Sequence, residues 1–188
     1  PQRPRTTDRW VVTRNQQTIR GPFEVEGVGI HTGNPVTVSV RPAKADSGVT
    51  FRRTDLPDSD PVPAHHDSLD SATRRTALKR GLAEVHTVEH FLAALMALQV
   101  DNLEIELDGP ELPGLDGSAL PWFERINDTG LVDQKVERKT YVIEQPIVVE
   151  HEGAMLTAFP SQHEGLHLSY TLDYRSKGLA PQLVDVDL

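Results

Sequence analysis

The densest run of chemically capable side chains is His86-Thr87-Val88-Glu89-His90, where a carboxylate stands directly beside an imidazole. A neutral histidine holds a metal through one ring nitrogen, and a neighbouring carboxylate is the kind of group that takes a proton from an attacking water. Zinc-assisted hydrolysis is the chemistry such a pair serves. Val88, Phe91, Leu92, Leu95 and Leu98 follow at helical spacing, and Thr87 is the expected N-cap. Glu89 then falls in the first turn, where the helix dipole favours the ionised carboxylate, while His90 needs an acceptor for its second ring N–H.

Three readings of these five residues stand side by side. They are a metal ligand and its base, or a first-turn glutamate with a partly buried histidine closing the turn. Alternatively, as H-x-x-E-H, they form an inverted zinc-peptidase motif. That last reading needs His86 and His90 one turn apart on a single helix, together with a third ligand, for which Glu164 has the nearest spacing. With Thr87 as the cap, His86 lies outside the helix.

Other segments offer less. Gly27-Val-Gly29 begins like a dinucleotide fingerprint, but Thr32 stands where the third glycine belongs and a second strand follows instead of a helix. No Walker sequence is present. His65-His66, His151, His163 and His167 fall in loops or strands without a carboxylate at ligand spacing and read as solvated. Arg74-Arg75 with Lys79-Arg80 reads as a basic loop or as a phosphate contact.

The elements that would position these residues are mixed. Thr18–Val25, a glycine-punctuated turn over Gly27–Asn34, and Pro35–Val40 read as a β-hairpin, and Val49–Arg53 as a shorter strand. After the helix that opens near Thr87, Leu103, Ile105 and Leu107 alternate as a strand, and Ser118 caps a short helix through Ile126. A domain boundary is expected within 128–138. Beyond it only strand-like runs appear: Thr140–Val149, Ala154–Phe159, Leu166–Tyr174 and Leu183–Leu188. The expected class is α+β, with a two-layer sheet/helix domain over 17–134 and a second, incomplete α+β domain over 135–188.

The 188 residues, 37% hydrophobic and 25% charged, suit one or two folded domains rather than a disordered chain. The lack of cysteine excludes disulfides, Fe–S clusters, thiolate-bound zinc and a cysteine nucleophile, leaving histidine and carboxylate as zinc ligands. No apolar run approaches the roughly 18 residues of a membrane span. The net charge of −9 excludes a basic domain, although the first 22 residues hold five arginines against one aspartate. Residues 1–16 are therefore expected to be a flexible Arg-rich leader, and nucleic acid is not an expected partner. A start at Pro1 and an alternation unfinished at Leu188 suggest a piece of something longer.

Four motifs in order give the chain a resemblance. They are Glu26-Gly-Val-Gly-Ile-His31-Thr-Gly33, Thr87-Val-Glu-His90 with Leu92-Ala-Ala-Leu95, Asp101-Asn102, and Glu111-Leu-Pro-Gly-Leu-Asp116-Gly-Ser118-Ala119. Gln145-Pro-Ile-Val-Val149 extends the match toward the C-terminus. Together they resemble the LpxC family of zinc-dependent deacetylases of lipid A synthesis, from about Gln17 onward. The resemblance implies two similar α+β units with their helices sandwiched between outer sheets, a cytoplasmic location, and a UDP-sugar lipid substrate. It implies one Zn2+ per complete site, with His90 as a ligand and Glu89 as the general base. His31, Thr76 and Asp116 take supporting positions near the site, and the position of His86 is not a ligand. The family completes its zinc site with a His-x-x-x-Asp pair, and no histidine from 151 onward has Asp four residues later. The remaining His and Asp ligands are therefore expected beyond Leu188, in the C-terminal part of the same enzyme. The chain alone is expected to be a poor catalyst, with a non-catalytic module that associates with its missing half as the rival view.

Overall fold

The computed structural model describes residues 9–72, 74–161, 165–174 and 178–187. The first strands are β1 (Arg9–Ile19), β2 (Phe23–Val28), β3 (Pro35–Pro42), β4 (Val49–Arg53) and β5 (Val62–Pro63). A single 3-10 turn at His66–Ser68 leads to β6 (Leu69–Asp70), β7 (Ala77–Arg80) and β8 (Ala83–His86). Then come α1 (Glu89–Ala97), β9 (Leu103–Leu107), α2 (Leu120–Thr129) and β10 (Leu131–Val142). The last strands are β11 (Ile147–His151), β12 (Ala154–Ala158), β13 (His167–Leu172) and β14 (Gln182–Asp187). The content is α+β. The chain divides into a larger unit, Arg14–Arg138, and a smaller one made of the residues on either side of it.

In the larger unit five strands run in the order β2-β3-β9-β4-β5. β4 lies parallel to β9, and the other neighbours are antiparallel. Period-two alternation decides which face is covered. Val36, Val38 and Val40 of β3 and Leu103, Ile105 and Leu107 of β9 are buried on one side. The opposite side carries Arg41 and Glu106 at 3.0 Å, and Arg52 and Glu104 at 3.8 Å. These half-exposed pairs add little stability. The apolar face is covered by α1 and α2, whose Phe91, Leu95, Trp122 and Ile126 join the same buried cluster. The Phe91 ring stands edge-on to both Phe51, at 6.1 Å, and Trp122, at 5.1 Å.

Several expectations change. The strand expected over Thr18–Val25 is broken between Ile19 and Phe23, where Gly21-Pro22 turns the chain; the hairpin is β2–β3. Residues 9–16, expected as a leader, belong to β1. Arg14 clasps Asp101 through two hydrogen bonds of 2.6 and 3.0 Å, and the buried Gln16 accepts from the Asn102 amide at 2.9 Å. Asn102 in turn accepts from the Gly48 N–H at 2.8 Å. The Asp101-Asn102 pair is thus a structural rivet that holds β1 against the segment between α1 and β9. The charged stretch in which a domain boundary was expected is part of strand β10, which pairs with β1, and the two units divide within that strand, between Arg138 and Lys139.

A three-stranded sheet, β6-β7-β8, was not expected. Two residues of the basic run 74–80 are engaged: Lys79 pairs with Glu84 across β7–β8, and Arg75 Nε, just before β7, donates to His86 Nδ1 at 3.0 Å. The smaller unit holds two antiparallel hairpins among its described residues, β11–β12 and β13–β14. The first turns at Glu152-Gly153, with φ of 48° and 82°, which glycine adopts at no steric cost. Glu164, and with it the expected turn at Glu164-Gly165, lies outside the described residues. No helix among the described residues is long and apolar enough to cross a membrane.

Candidate active site

Strand β8 ends at His86 and α1 begins at Glu89, so the whole reversal of direction falls on Thr87-Val88. Thr87 is not the N-cap. The capping position is Val88, which makes no side-chain cap bond, and Thr87 sits one residue earlier at φ 58°. That left-handed conformation is costly for a β-branched residue. The Thr87 N–H donates to the Thr76 carbonyl at 2.9 Å, and its buried hydroxyl donates to Glu111 Oε1 at 2.9 Å. The hydroxyl donates to the charged carboxylate of Glu111 instead of accepting from a first-turn N–H of the helix.

Glu89 and His90 are half-buried in the first turn of α1. One carboxylate oxygen of Glu89 accepts from the Thr76 N–H at 3.1 Å. Its other oxygen and both ring nitrogens of His90 have no hydrogen-bond partner among the described residues. This is the donor set a metal site draws on, one unengaged imidazole beside a carboxylate with an open lone pair. A catalytic zinc takes three protein ligands, and the described residues do not assemble three around His90.

His86 is spoken for. Its Nδ1 accepts from Arg75, leaving the proton on Nε2, which faces Glu84 Oε2 at 3.3 Å. Since it closes a strand and not a helical turn, the inverted-peptidase geometry is absent. Among the described residues three metal-capable side chains come together in one place, at His65, His66 and Asp67. Contrary to expectation, both histidines have a carboxylate partner, because the turn folds Asp67 back to 3.4 Å from His65 and 3.0 Å from His66. All three are exposed.

The supporting residues divide. His31 lies exposed in the β2–β3 turn, and its N–H donates to Glu111. Thr76 contributes its backbone, touching Glu89 and Thr87. Asp116 is exposed, and its Oδ1 accepts from the Ser118 N–H at 2.8 Å and hydroxyl at 2.9 Å. Ser118 Oγ then accepts from the Leu120 N–H at 3.1 Å, so the expected cap satisfies the start of α2 from just outside the helix, which runs to Thr129. Nothing in that arrangement joins Asp116 to Glu89.

Sequence reasoning passed over Glu111 as a residue in its own right. Its carboxylate is 1% exposed and accepts from the His31 N–H at 3.0 Å, the Thr32 N–H at 2.8 Å and the Thr87 hydroxyl. Burial alone would push this carboxyl up. The backbone N–H groups of His31 and Thr32 and the hydroxyls of Thr32 and Thr87 outweigh burial and hold it down at about 2. The available signal was a lone charge inside the turn-rich, apolar run Gly109-Pro-Glu-Leu-Pro-Gly114.

The same carboxylate explains Gly29, and Gly114 provides the contrast. A Cβ at Gly29 would collide with Glu111 Oε2 and the Thr32 hydroxyl, both locked by hydrogen bonds. A Cβ at Gly114 would come closest to the side chain of Ile30, an exposed residue that can turn it aside. Gly29→Ala is therefore expected to cost about 1–3 kcal/mol of stability, and Gly114→Ala less than about 1. Urea midpoints of the two variants check this ranking, and equal losses would contradict it.

The family model for UDP-3-O-acyl N-acetylglycosamine deacetylases, LpxC, matches residues 16–188. A UDP-3-O-acyl-N-acetylglucosamine deacetylase of Bdellovibrio bacteriovorus is 40% identical over 173 residues, 92% of this chain and 57% of that protein. One of Thermosynechococcus vestitus is 36% identical over 172 residues, 92% of this chain and 60% of its own length. A bifunctional LpxC/FabZ enzyme of Chlorobaculum tepidum is 35% identical over 176 residues, covering 92% of this chain and 38% of that enzyme. The chain thus spans somewhat more than half the length of the first two relatives.

Proposed function

The chain belongs to the LpxC family of UDP-3-O-acyl N-acetylglycosamine deacetylases, and on that premise we propose that it supplies the base and one zinc ligand of a deacetylase active site. The reaction is hydrolysis of the N-acetyl group of a UDP-3-O-acyl-N-acetylglucosamine in lipid A synthesis. The observation that carries the reading is the adjacency, at the head of α1, of a half-buried unengaged His90 and a Glu89 held at one oxygen only. Relatives named for this activity support the substrate class.

His90 would hold the zinc, which would supply Lewis-acid polarisation of the amide carbonyl and charge neutralisation in the transition state. Glu89 takes a proton from the attacking water while the Thr76 N–H fixes its orientation. As the C–N bond breaks, the leaving nitrogen takes up the proton that Glu89 received from the water, so that acetate and the sugar amine are released. The remaining His and Asp ligands belong to further residues of the same protein, so that the complete deacetylase is larger than these 188 residues.

The test measures zinc content and acetate release from the UDP-sugar substrate in the complete protein. His90→Ala is expected to lower zinc stoichiometry and abolish most acetate release. Unchanged zinc content would overturn the ligand assignment, and a wild-type protein without acetate release on this substrate class would overturn the function.

A further inference from the structure

Glu111 has no chemical task in the mechanism above, yet it lies where three segments meet. Its carboxylate binds the N–H groups of His31 and Thr32 in the β2–β3 turn. It also binds the hydroxyl of Thr87, the left-handed residue that turns β8 into α1. The backbone reinforces this junction: His86 N–H donates to the Pro110 carbonyl at 2.8 Å, and Leu112 N–H to the His86 carbonyl at 3.1 Å. From Thr87 a second link runs through the Thr76 carbonyl, and the Thr76 N–H ends on Glu89. A continuous path thus leads from the turn that carries His31 to the carboxylate at the head of α1.

We propose that Glu111 is a positioning residue of the active site, clamping Thr87 and the His31–Thr32 turn together and thereby setting where Glu89 and His90 stand. The physical reason is strain held by a specific partner. A threonine at φ 58° reverts to an ordinary conformation unless the surroundings over-determine it. A buried carboxylate with several donors is a rigid, one-position acceptor. Glutamine in its place keeps the shape but presents an NH2 to groups that are themselves donors. The role in catalysis rests on the proposed function of Glu89 and His90; the clamp itself does not.

The test uses two variants with backbone amide NMR on the 188-residue chain and kinetics on the complete deacetylase. E111Q is expected to move the amide signals of Thr76 and Glu89 as well as those of His31 and Thr32. T87V, which removes the hydroxyl but keeps the side-chain shape, is expected to move the His31 and Thr32 signals through Glu111. T87V keeps the chain assessable should E111Q fail to fold. In the complete enzyme either variant is expected to lower kcat about tenfold or more with zinc retained, as a small misplacement of a catalytic group does. If T87V leaves His31 and Thr32 unmoved, the clamp is overturned. If signals move but kcat stays at the wild-type value, the positioning role is overturned. Full activity of Glu89→Gln would instead sink the assignment of the base and leave the amide results standing.

Discussion

Glu89→Gln is expected to lower kcat of the complete deacetylase by about 10²- to 10⁴-fold while its zinc content is retained. The glutamine carbonyl still accepts from the Thr76 N–H, which sits 3.1 Å from the present carboxylate oxygen, so the side chain keeps its place. What disappears is the basic lone pair on the second oxygen. The substitution also removes a negative charge from the first turn of α1, a favourable location worth only a few tenths to about 1 kcal/mol. Folding is therefore little affected, and the loss is chemical. Glu106→Gln, on the solvated face of β9, is the matched control and is expected to leave kcat unchanged. The measurement is steady-state acetate release with zinc determined on the same samples. A kcat for Glu89→Gln close to that of the control would remove Glu89 as the base.

The Glu89-His90 pair was legible because its meaning is local: two adjacent residues at the start of an apolar stripe of period 3.6. The same holds for β9, whose Leu-Glu-Ile-Glu-Leu alternation fixes both strand and facing, and for the β2–β3 hairpin. What was not legible depends on partners distant in sequence. Thr87 has the composition of an N-cap, and a local rule assigns its hydroxyl to the helix. The acceptor that captures it, Glu111, lies 24 residues away. Arg14 and Gln16 look like a solvated leader until Asp101 and Asn102 are folded beside them. β6, β7 and β8 are two to four residues long. Such short pieces carry too few alternations to separate from loop, and only their mutual pairing makes them strands. The pairing of His65 and His66 with Asp67 was hidden for a different reason, since consecutive residues converge only when a tight turn folds them together.

Phe91→Ala is expected to destabilise the chain by about 3–5 kcal/mol, the largest single loss anticipated in the larger unit. The ring is fully buried and stands between Phe51 of the sheet and Trp122 of α2, edge-on to both. Removing it deletes both aromatic contacts and leaves a cavity that cannot collapse easily, because β4 and α2 are each held by other buried residues: Val62 beside Phe51 on β5, and Ile126 one turn along from Trp122. Against a typical total of about 5–15 kcal/mol, a loss of this size consumes a large share of the margin. The exposed Met96 on the same helix provides the contrast, with Met96→Ala expected within about 0.5 kcal/mol of the parent. Urea denaturation with matched m-values measures both, and a Phe91→Ala loss below about 1 kcal/mol would contradict the packing argument. The position adds a functional consequence. Phe91 follows His90 directly, so the ring that pins α1 to the sheet also pins the turn on which Glu89 and His90 sit. Phe91→Leu fills most of the space without restoring the edge-on contacts. It is therefore expected to recover much of the stability, and the extent to which zinc affinity and kcat recover in parallel separates loss of fold from loss of placement.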